Sequence, residues 1–408
     1  MIRFIHAADL HLDSPYIGLK ELSVQIADQV KESTFQSLEN IVEQAISHQV
    51  MFVLFSGDIY DLEDRSIKAQ IRFRQQMERL RKHSISVYLI HGNHDFIASK
   101  SDHLSLPSNV KVFSPAVETE YIETDKGETI AVSGFSYDKR WIDKRMISEY
   151  PVRGKQVDYH IGMLHGYEEG QNSDHGRYAP FSLNELISKD YDYWALGHIH
   201  KRQMLSSEPP VYYSGNTQGR HKNEAGEKGC LLVELSQSGK QIQFISTAPV
   251  IWDRLTVDAS MEGSLNSIYE HIKKEMASLP ERNILLNLVV SVSPDLKNQI
   301  LKKIKQAEFT EALHIYADSY FVHITSVKIK IKSSEGESVS LAELFPEEWD
   351  KSISHFLLSD PFYNETSELL SAHPFSKELK EPSERYRKEI VDSAVTLLKQ
   401  DLGSIEGD

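Results

Sequence analysis

Five short polar blocks punctuate the first half of this chain, each closing an apolar, strand-like run. They are Asp9-Leu10-His11, Gly57-Asp58-Ile59-Tyr60-Asp61, Gly92-Asn93-His94-Asp95, His165-Gly166 and Gly197-His198-Ile199-His200. The runs Ile2 to Ala7, Met51 to Phe55, Val87 to Ile90, His160 to Leu164, Tyr193 to Leu196 and Val211 to Tyr213 read as strands rich in β-branched and aromatic residues. Helical spacing fills the gaps: about Leu22 to His48 carries Ile26, Val30, Phe35, Leu38, Ile41, Val42, Ala45 and Ile46, and about Ser66 to His83 carries Ile67, Ile71, Met77 and Leu80. Such alternation predicts an α/β protein with both faces of a sheet covered. In that class, chemistry sits on loops just beyond the carboxyl ends of strands, so all five blocks can converge on one rim.

A second region begins near Pro249. Leu255 to Val257, Leu265 to Met276, Ile284 to Val292, Lys297 to Lys305, His314 to Tyr316 and Val327 to Ile331 alternate strand and helix patterns, predicting a small α+β domain over 249–331 behind a first domain of 1–248. Lys332 to Ser338 is a polar linker. Residues 341–408 read as helical and hold 15 acidic against 7 basic residues, more than half of the excess behind the net charge of −15. A last helix is expected from an N-cap at Ser383, with Tyr386, Ile390, Val391, Ala394, Leu397 and Leu398 along one stripe. That stripe suits packing on the protein itself or docking of a partner, and the sequence leaves both open.

Composition narrows the class. A chain of 408 residues suggests two or three domains, and 40% hydrophobic with 26% charged residues is the balance of a soluble globular protein. The longest apolar runs are strand-sized, too short to span a membrane. Met1 leads directly into Ile2-Arg3-Phe4-Ile5 without a secretion signal, and a single cysteine, Cys230, excludes an internal disulfide framework, so a cytoplasmic protein is expected. Cys230 reads as a small buried strand residue. A net charge of −15 opposes tight autonomous binding to a phosphate backbone, yet bound divalent ions would reverse that sign locally.

The five blocks supply Asp, His and Asn, ligand types that suit hard to borderline divalent metals. Asp9 and His11 alternate along an extended segment and can reach one ion. Asp58, alone after a glycine at a strand end, is placed to bridge two. Asn93 offers a neutral oxygen, His198 and His200 alternate with one for each ion, and His165 completes the second ion's shell. Two divalent ions against Asp9 and Asp58 leave a positive pocket for a phosphodiester, which an all-carboxylate cage would cancel. His94 follows Asn93 without being an obvious ligand, which suits it to protonate a leaving oxygen, with Asp95 orienting its imidazole. Asp61 reads as a turn residue or part of the substrate rim. His6 and His91 read as core or sheet residues, and His103, His175 and His221 as loop histidines without a role. A lone Asp after Gly is usually a turn former, and a lone loop His is usually solvated. Five blocks in order and in strand context outweigh those single readings.

The blocks match the signature D-x-H, G-D-x-x-[DH], G-N-H-[DE], H and G-H-x-H, and over about residues 1–220 the chain resembles the calcineurin-like metallophosphoesterases. Within these it is most similar to the SbcD-like DNA-repair nucleases. The segments Ile5 to Pro15 and Arg177 to Phe181 resemble the YhaO group of Firmicutes. The resemblance implies a four-layer α/β sandwich, two mixed β-sheets flanked by helices, with an α+β capping domain and a helical C-terminal segment. It implies two metal ions, most often manganese, although iron or zinc accepts the same ligands. Asp9, His11, Asp58 and His200 would hold one ion; Asp58, Asn93, His165 and His198 would hold the other. His94 would be the catalytic histidine. It further implies DNA as substrate, a homodimer built near Ser66 to His83, and an SbcC-type coiled-coil ATPase docked by residues 341–408. The arginines Arg72, Arg74, Arg79 and Arg81 on that helix face either an acidic partner or water. The expected function is a Mn-dependent exonuclease at DNA ends. A phosphodiesterase for a small diester or nucleotide, and a mainly structural ATPase-positioning subunit, are the alternatives.

Overall fold

The computed structural model describes residues 1–332 except 17–18, 20–21, 62–64, 98–102 and 170–177, together with 346–358, 387–388, 390–391 and 394. The contacts divide it into two compact units. One comprises Met1–Leu255, Pro280–Asn287 and His314–Ser326; the other comprises Thr256–Leu279, Leu288–Leu313 and Val327–Asp408.

In the first unit, β1 (Ile2–Ala7), β2 (Phe52–Ser56), β3 (Ser86–Ile90) and β4 (Val110–Val112) run parallel, with α1 (Val24–Ser47) and α2 (Ile67–Lys82) as crossovers. β5 (Glu118–Glu123), β6 (Thr129–Gly134), β7 (Tyr159–His165), α3 (Leu183–Ile187), β8 (Tyr193–Gly197), β9 (Gln203–Ser207) and β10 (Pro210–Tyr213) follow, then β11 (Gly229–Ser236) and β12 (Gly239–Ser246). β11 returns to pair antiparallel with β1, giving a six-stranded mixed sheet of order β12-β11-β1-β2-β3-β4. The second mixed sheet has the order β5-β6-β7-β8-β10-β9. The fold is thus the mixed α/β arrangement expected of the sequence, with two sheets and flanking helices.

The two sheets are held face to face by one apolar cluster. Phe4, Phe52, Leu54 and Ile90 from the first sheet meet Ile130, Val132, Ile161, Met163 and Tyr193 from the second. Phe4 lies at its centre, stacked on Phe52 at 5.0 Å and edge-on to Tyr193 at 5.4 Å. The outer face of the first sheet is covered by α1 and α2, whose Phe35, Leu38, Ile41, Phe73, Met77 and Leu80 are buried against Ile5, Val53, Phe55 and Leu89. Ser23 and Ser66 start the two helices by accepting from the backbone N–H groups of Ile26 and Ala69. The two helices are joined by ion pairs: Arg72 meets Glu32 and Glu39, and Arg79 meets Glu43, so these arginines face the protein's own α1. Cys230 is buried in β11, and burial pushes its thiol up to about 12, which leaves it inert.

Several edge elements carried no clear sequence pattern. β4, β5 and β9 lie at sheet edges and have mostly part-exposed residues, so neither alternation nor an apolar run marks them. Farther along, β13 (Val250–Ala259), β14 (Asn283–Val292), β15 (Ile315–Tyr316) and β16 (Phe321–Ile331) form a four-stranded sheet of order β13-β14-β16-β15. In the second unit α4 (Leu265–Met276) buries Ile268, Ile272 and Met276 along one stripe. Pro346–Phe356 is helical; of the stripe expected after Ser383, Ile390, Val391 and Ala394 are helical, while Ser383, Tyr386, Leu397 and Leu398 lie outside the described residues, as does His175. Among the described residues no helix is long and apolar enough to cross a membrane.

Phe4→Ala should cost about 3–5 kcal/mol, because it removes a fully buried ring that both sheets touch. Urea denaturation followed by circular dichroism measures this, and Phe4→Leu should cost clearly less.

Candidate metal centre

The five blocks meet at the carboxyl ends of β1, β2, β3, β7 and β8. Beyond β1 and β2 the chain stays paired for one more turn of sequence: Asp9 N–H donates to Gly57 O at 3.0 Å, His11 N–H to Asp58 O at 3.0 Å and Leu12 N–H to Ile59 O at 2.9 Å. Asp9, His11, Asp58 and His198 all adopt positive φ, 53°, 43°, 51° and 98° respectively. Left-handed backbone at four non-glycine residues of one cluster costs of order 1 kcal/mol or more each and persists where the surroundings over-determine it. Here it turns the side chains inward together.

The glycines of the blocks are required by crowding. A Cβ on Gly57, itself at φ +94°, would come within 2.2 Å of His165 Nδ1, and one on Gly92 within 2.2 Å of Asp58 Oδ1. Only a chain without side chains at these positions lets the β2 and β3 ends close on the same imidazole.

Asp9, His11, Asp58, Asn93 and His165 are buried, while His94, His198 and His200 are partly exposed at the mouth. Asp58 Oδ2 lies 3.4 Å from His165 Nε2 and 3.7 Å from His11 Nε2, so one carboxylate oxygen stands between two imidazoles. His11 Nε2 and His200 Nε2 are 3.1 Å apart. Asn93 Oδ1 is 3.0 Å from His165 Nε2 and 3.1 Å from His198 Nδ1. Asp9, His11 and His200 present ligand atoms to one point, and Asp9, Asp58 and His165 to another. Asp9 thus reaches both groups, besides accepting from the His198 N–H at 3.0 Å.

The outer nitrogens show which inner ones are free to bind. His165 Nδ1 lies 3.0 Å from Ser56 O, an acceptor only, so Nδ1 carries the proton and Nε2 faces inward with a lone pair in the neutral form. His200 Nδ1 is 2.6 Å from Glu224 Oε1. His11 Nδ1 is 3.0 Å from Asp61 Oδ1, off the line of a good hydrogen bond. His11 Nε2 and His200 Nε2 face each other at 3.1 Å; without an ion one can donate to the other, and both can turn lone pairs to a cation between them. The donor set therefore fits a divalent metal. Glu224, Arg220 and Asp61 hold it from outside.

Burial alone would push Asp58 up, but His165 and His11 outweigh it and hold the carboxyl well below its usual range. Burial pulls His165 down, and Asp58 and Asp9 outweigh that, raising it to about 9. Burial lowers His11 to about 4, keeping it neutral. Burial also raises Asp9.

Asp95 does not orient His94, contrary to the sequence expectation. Its carboxylate accepts from Ile59 N–H at 2.9 Å and Gly92 N–H at 2.7 Å and pairs with His91 Nδ1 at 3.0 Å, tying the β2 and β3 loops together. His91 lies just past β3 and serves that carboxylate. His94 is held instead by the Asp61 carbonyl, 2.9 Å from its Nδ1, while its backbone N–H donates to Asp58 Oδ1 at 2.9 Å. Asp61 in turn pairs with Arg220. Burial raises Asp61, but His11 and Arg220 outweigh it and lower it. Arg220 and Glu224 had no sequence signal, since they arrive on the β10–β11 loop, far in sequence from every block. Arg220 N–H donates to Glu224 Oε2 at 2.7 Å and Asn216 Nδ2 to the same oxygen at 3.0 Å, so one loop braces both flanks.

The calcineurin-like phosphoesterase family profile matches residues 2–202. The uncharacterized metallophosphoesterase YhaO of Bacillus subtilis is 40% identical over 283 residues, 69% of this chain and 69% of that protein. The chain belongs to the calcineurin-like metallophosphoesterases. The DNA double-strand break repair protein Mre11 of Methanocaldococcus jannaschii is 26% identical over 256 residues, covering 59% of this chain and 65% of that one. The Mre11 of Thermoplasma acidophilum is 21% identical over 318 residues, covering 74% and 82%. Proteins of this family hold two divalent metals, and the Asp/His groups described above suit that role.

Glu224→Gln should keep the fold but weaken divalent-metal affinity about 10–100-fold, because the charged anchor of His200 is lost. Isothermal titration of metal-stripped protein with Mn²⁺ measures it; unchanged affinity would mean Glu224 does not serve the metal.

Proposed function

We propose that this metallophosphoesterase is a Mn-dependent phosphodiesterase that cuts DNA at ends, with Asp9, His11, Asp58, Asn93, His165, His198 and His200 as metal ligands and His94 as the catalytic histidine. The observation that carries the reading is the convergence of seven Asp, Asn and His side chains on one rim, with a further imidazole, His94, held beside them through its Nδ1. When bound, two divalent ions there supply the Lewis acidity that makes water nucleophilic at neutral pH and neutralises phosphoryl charge.

The chain's own residues do the rest. Asp58 Oδ2, between His11 and His165, would be shared by the two ions, and Asp9 stands in both ligand groups. The Asp61 carbonyl accepts only, so His94 Nδ1 donates to it and Nε2 faces outward; when the ring is the imidazolium, Nε2 carries the second proton, which passes to the departing oxygen and leaves a neutral imidazole. The His94 ring stands edge-on to His11 at 4.9 Å, which keeps it at the cluster's mouth. Asp95 keeps the loops that carry Asp58 and Asn93 in register.

DNA as substrate is supported by the Mre11 relatives, DNA double-strand break repair proteins by name. A coiled-coil ATPase of the SbcC type and a second copy of the chain are the partners proposed with it. Residues 249–331 are proposed as the capping domain and 341–408 as the docking segment. A net charge of −15 favours a second reading, a small phosphodiester or nucleotide as substrate.

Metal-stripped protein should lose hydrolysis of an end-labelled DNA and of a chromogenic phosphodiester together, and Mn²⁺ should restore both. His94→Gln should lower kcat about 10²–10⁴-fold with bound metal unchanged by elemental analysis. DNA left intact while the diester is cut would favour the second reading; undiminished cutting by stripped protein would end both.

A further inference from the structure

The loop between β6 and β7 is fastened to the metal centre at two points. At its start Tyr137 N–H donates to His91 O at 3.1 Å, its hydroxyl donates to His165 O at 2.9 Å, and its ring stands edge-on to His165 at 5.6 Å. Farther on, buried Ile142 bridges to Tyr178, whose ring lies over His198 at 4.6 Å with a 36° tilt. Between these anchors runs Asp138-Lys139-Arg140-Trp141, and Asp143-Lys144-Arg145 follows Ile142. Lys144 is paired with Glu149, and Arg145 with Glu169 and Glu185. Lys139 and Arg140 are exposed and make no ion pair among the described residues. Trp141 is 49% exposed, with the Arg140 guanidinium 5.7 Å from its ring centre.

Trp141 is an exposed indole preceded by two cations that make no ion pair among the described residues. We propose that this loop is a binding element for an unpaired stretch of nucleic acid entering the metal centre: Trp141 stacks on a base, and Lys139 and Arg140 hold the adjoining phosphates. The inference deepens the DNA reading and rests on it. Three observations converge. The anchors Tyr137 and Tyr178 touch two of the proposed metal ligands, which ties both ends of Asp138–Trp141 to the metal centre. Lys139 and Arg140, adjacent, exposed and without an ion pair among the described residues, can each hold a phosphate where the whole chain repels it. The flat π-face with a neighbouring guanidinium is the surface on which unpaired bases of any sequence stack. Bases within a duplex present no free face to it, so the loop selects single-stranded or frayed ends.

The test compares full-length wild type with Trp141→Ala, Trp141→Phe and Lys139→Gln/Arg140→Gln. All are assayed on a labelled oligothymidylate, a blunt duplex and a chromogenic phosphodiester with Mn²⁺. Trp141→Ala should raise KM for the oligothymidylate roughly tenfold, with Trp141→Phe largely restoring it. Duplex KM should move less, and the diester kinetics should not move at all. The double variant should lower the slope of log KM against log salt by about 1.4 for the single strand, two phosphate contacts fewer. Wild-type kinetics of Trp141→Ala on the oligothymidylate would overturn the loop proposal while leaving the DNA reading standing. Equal losses on all three substrates would mean that the residue is merely structural, and would also overturn it. If wild type cuts the diester but no DNA, the DNA reading fails and the loop proposal with it. Loss of binding to another protein with nucleic-acid kinetics intact would make the loop a protein-docking element instead.

Discussion

The imidazole of His165, fully buried where the two sheets end, is the point around which the rest of the centre is arranged. Its Nδ1 is fixed by Ser56 O from the neighbouring sheet, Tyr137 stands edge-on to its ring, and its Nε2 meets both Asn93 and Asp58. For β2 and β3 to close on this ring, the residues at their ends must lack side chains, which is why glycine precedes Asp58 and Asn93. The face-to-face cluster around Phe4, Phe52 and Tyr193 fixes the sheets that carry these strand ends. Apolar packing thereby sets the separation of the ligands.

Around that ring, polar anchors fix each ligand from the outside. Carbonyls and carboxylates bind the outward nitrogens of His165, His200 and His94, so the inward nitrogens are committed before any ion arrives. Asp95 fastens two ligand loops through their backbone N–H groups, and Arg220 links Asp61 on one flank with Glu224 on the other. Buried carboxylates and imidazoles at these distances are expensive singly, and tolerable because each holds its neighbour's charge. Such preorganisation keeps the donors in place against their mutual repulsion, so an entering ion requires little rearrangement.

The acidity of the chain and a phosphodiester substrate are reconciled by where the charges lie. Arginines on α2 are consumed by glutamates of α1, and much of the acidic excess is in residues 341–408. The loop tied to the centre by Tyr137 and Tyr178 offers two adjacent cations, Lys139 and Arg140, that make no ion pair among the described residues. Long-range repulsion slows encounter, while local attraction acts within a Debye length of about 10 Å, where the substrate strand would lie.

Much of this was legible in the sequence. The parallel strands, the two crossover helices and the five blocks are written in local periodicity and in short polar runs at strand ends, so their convergence followed from the α/β rule alone. Edge strands such as β4, β5 and β9 were not legible, because part-exposed edges carry neither an apolar run nor clean alternation. The role expected for Asp95 was misread because adjacency in sequence suggested His94, whereas the loop folds the carboxylate back onto backbone N–H groups and His91. Arg220, Glu224 and Tyr137 reach the site only through strand pairing across many residues, and nothing local marks them; Tyr178 lies in a segment marked by family resemblance, but its contact with His198 was not legible. The sequence by itself determined which side chains can ligate and on which strand ends they stand, because those depend on neighbours in the chain. Only the tertiary structure decided which nitrogen of each imidazole faces inward and which residues brace it, because those depend on hydrogen bonds between segments brought together by packing.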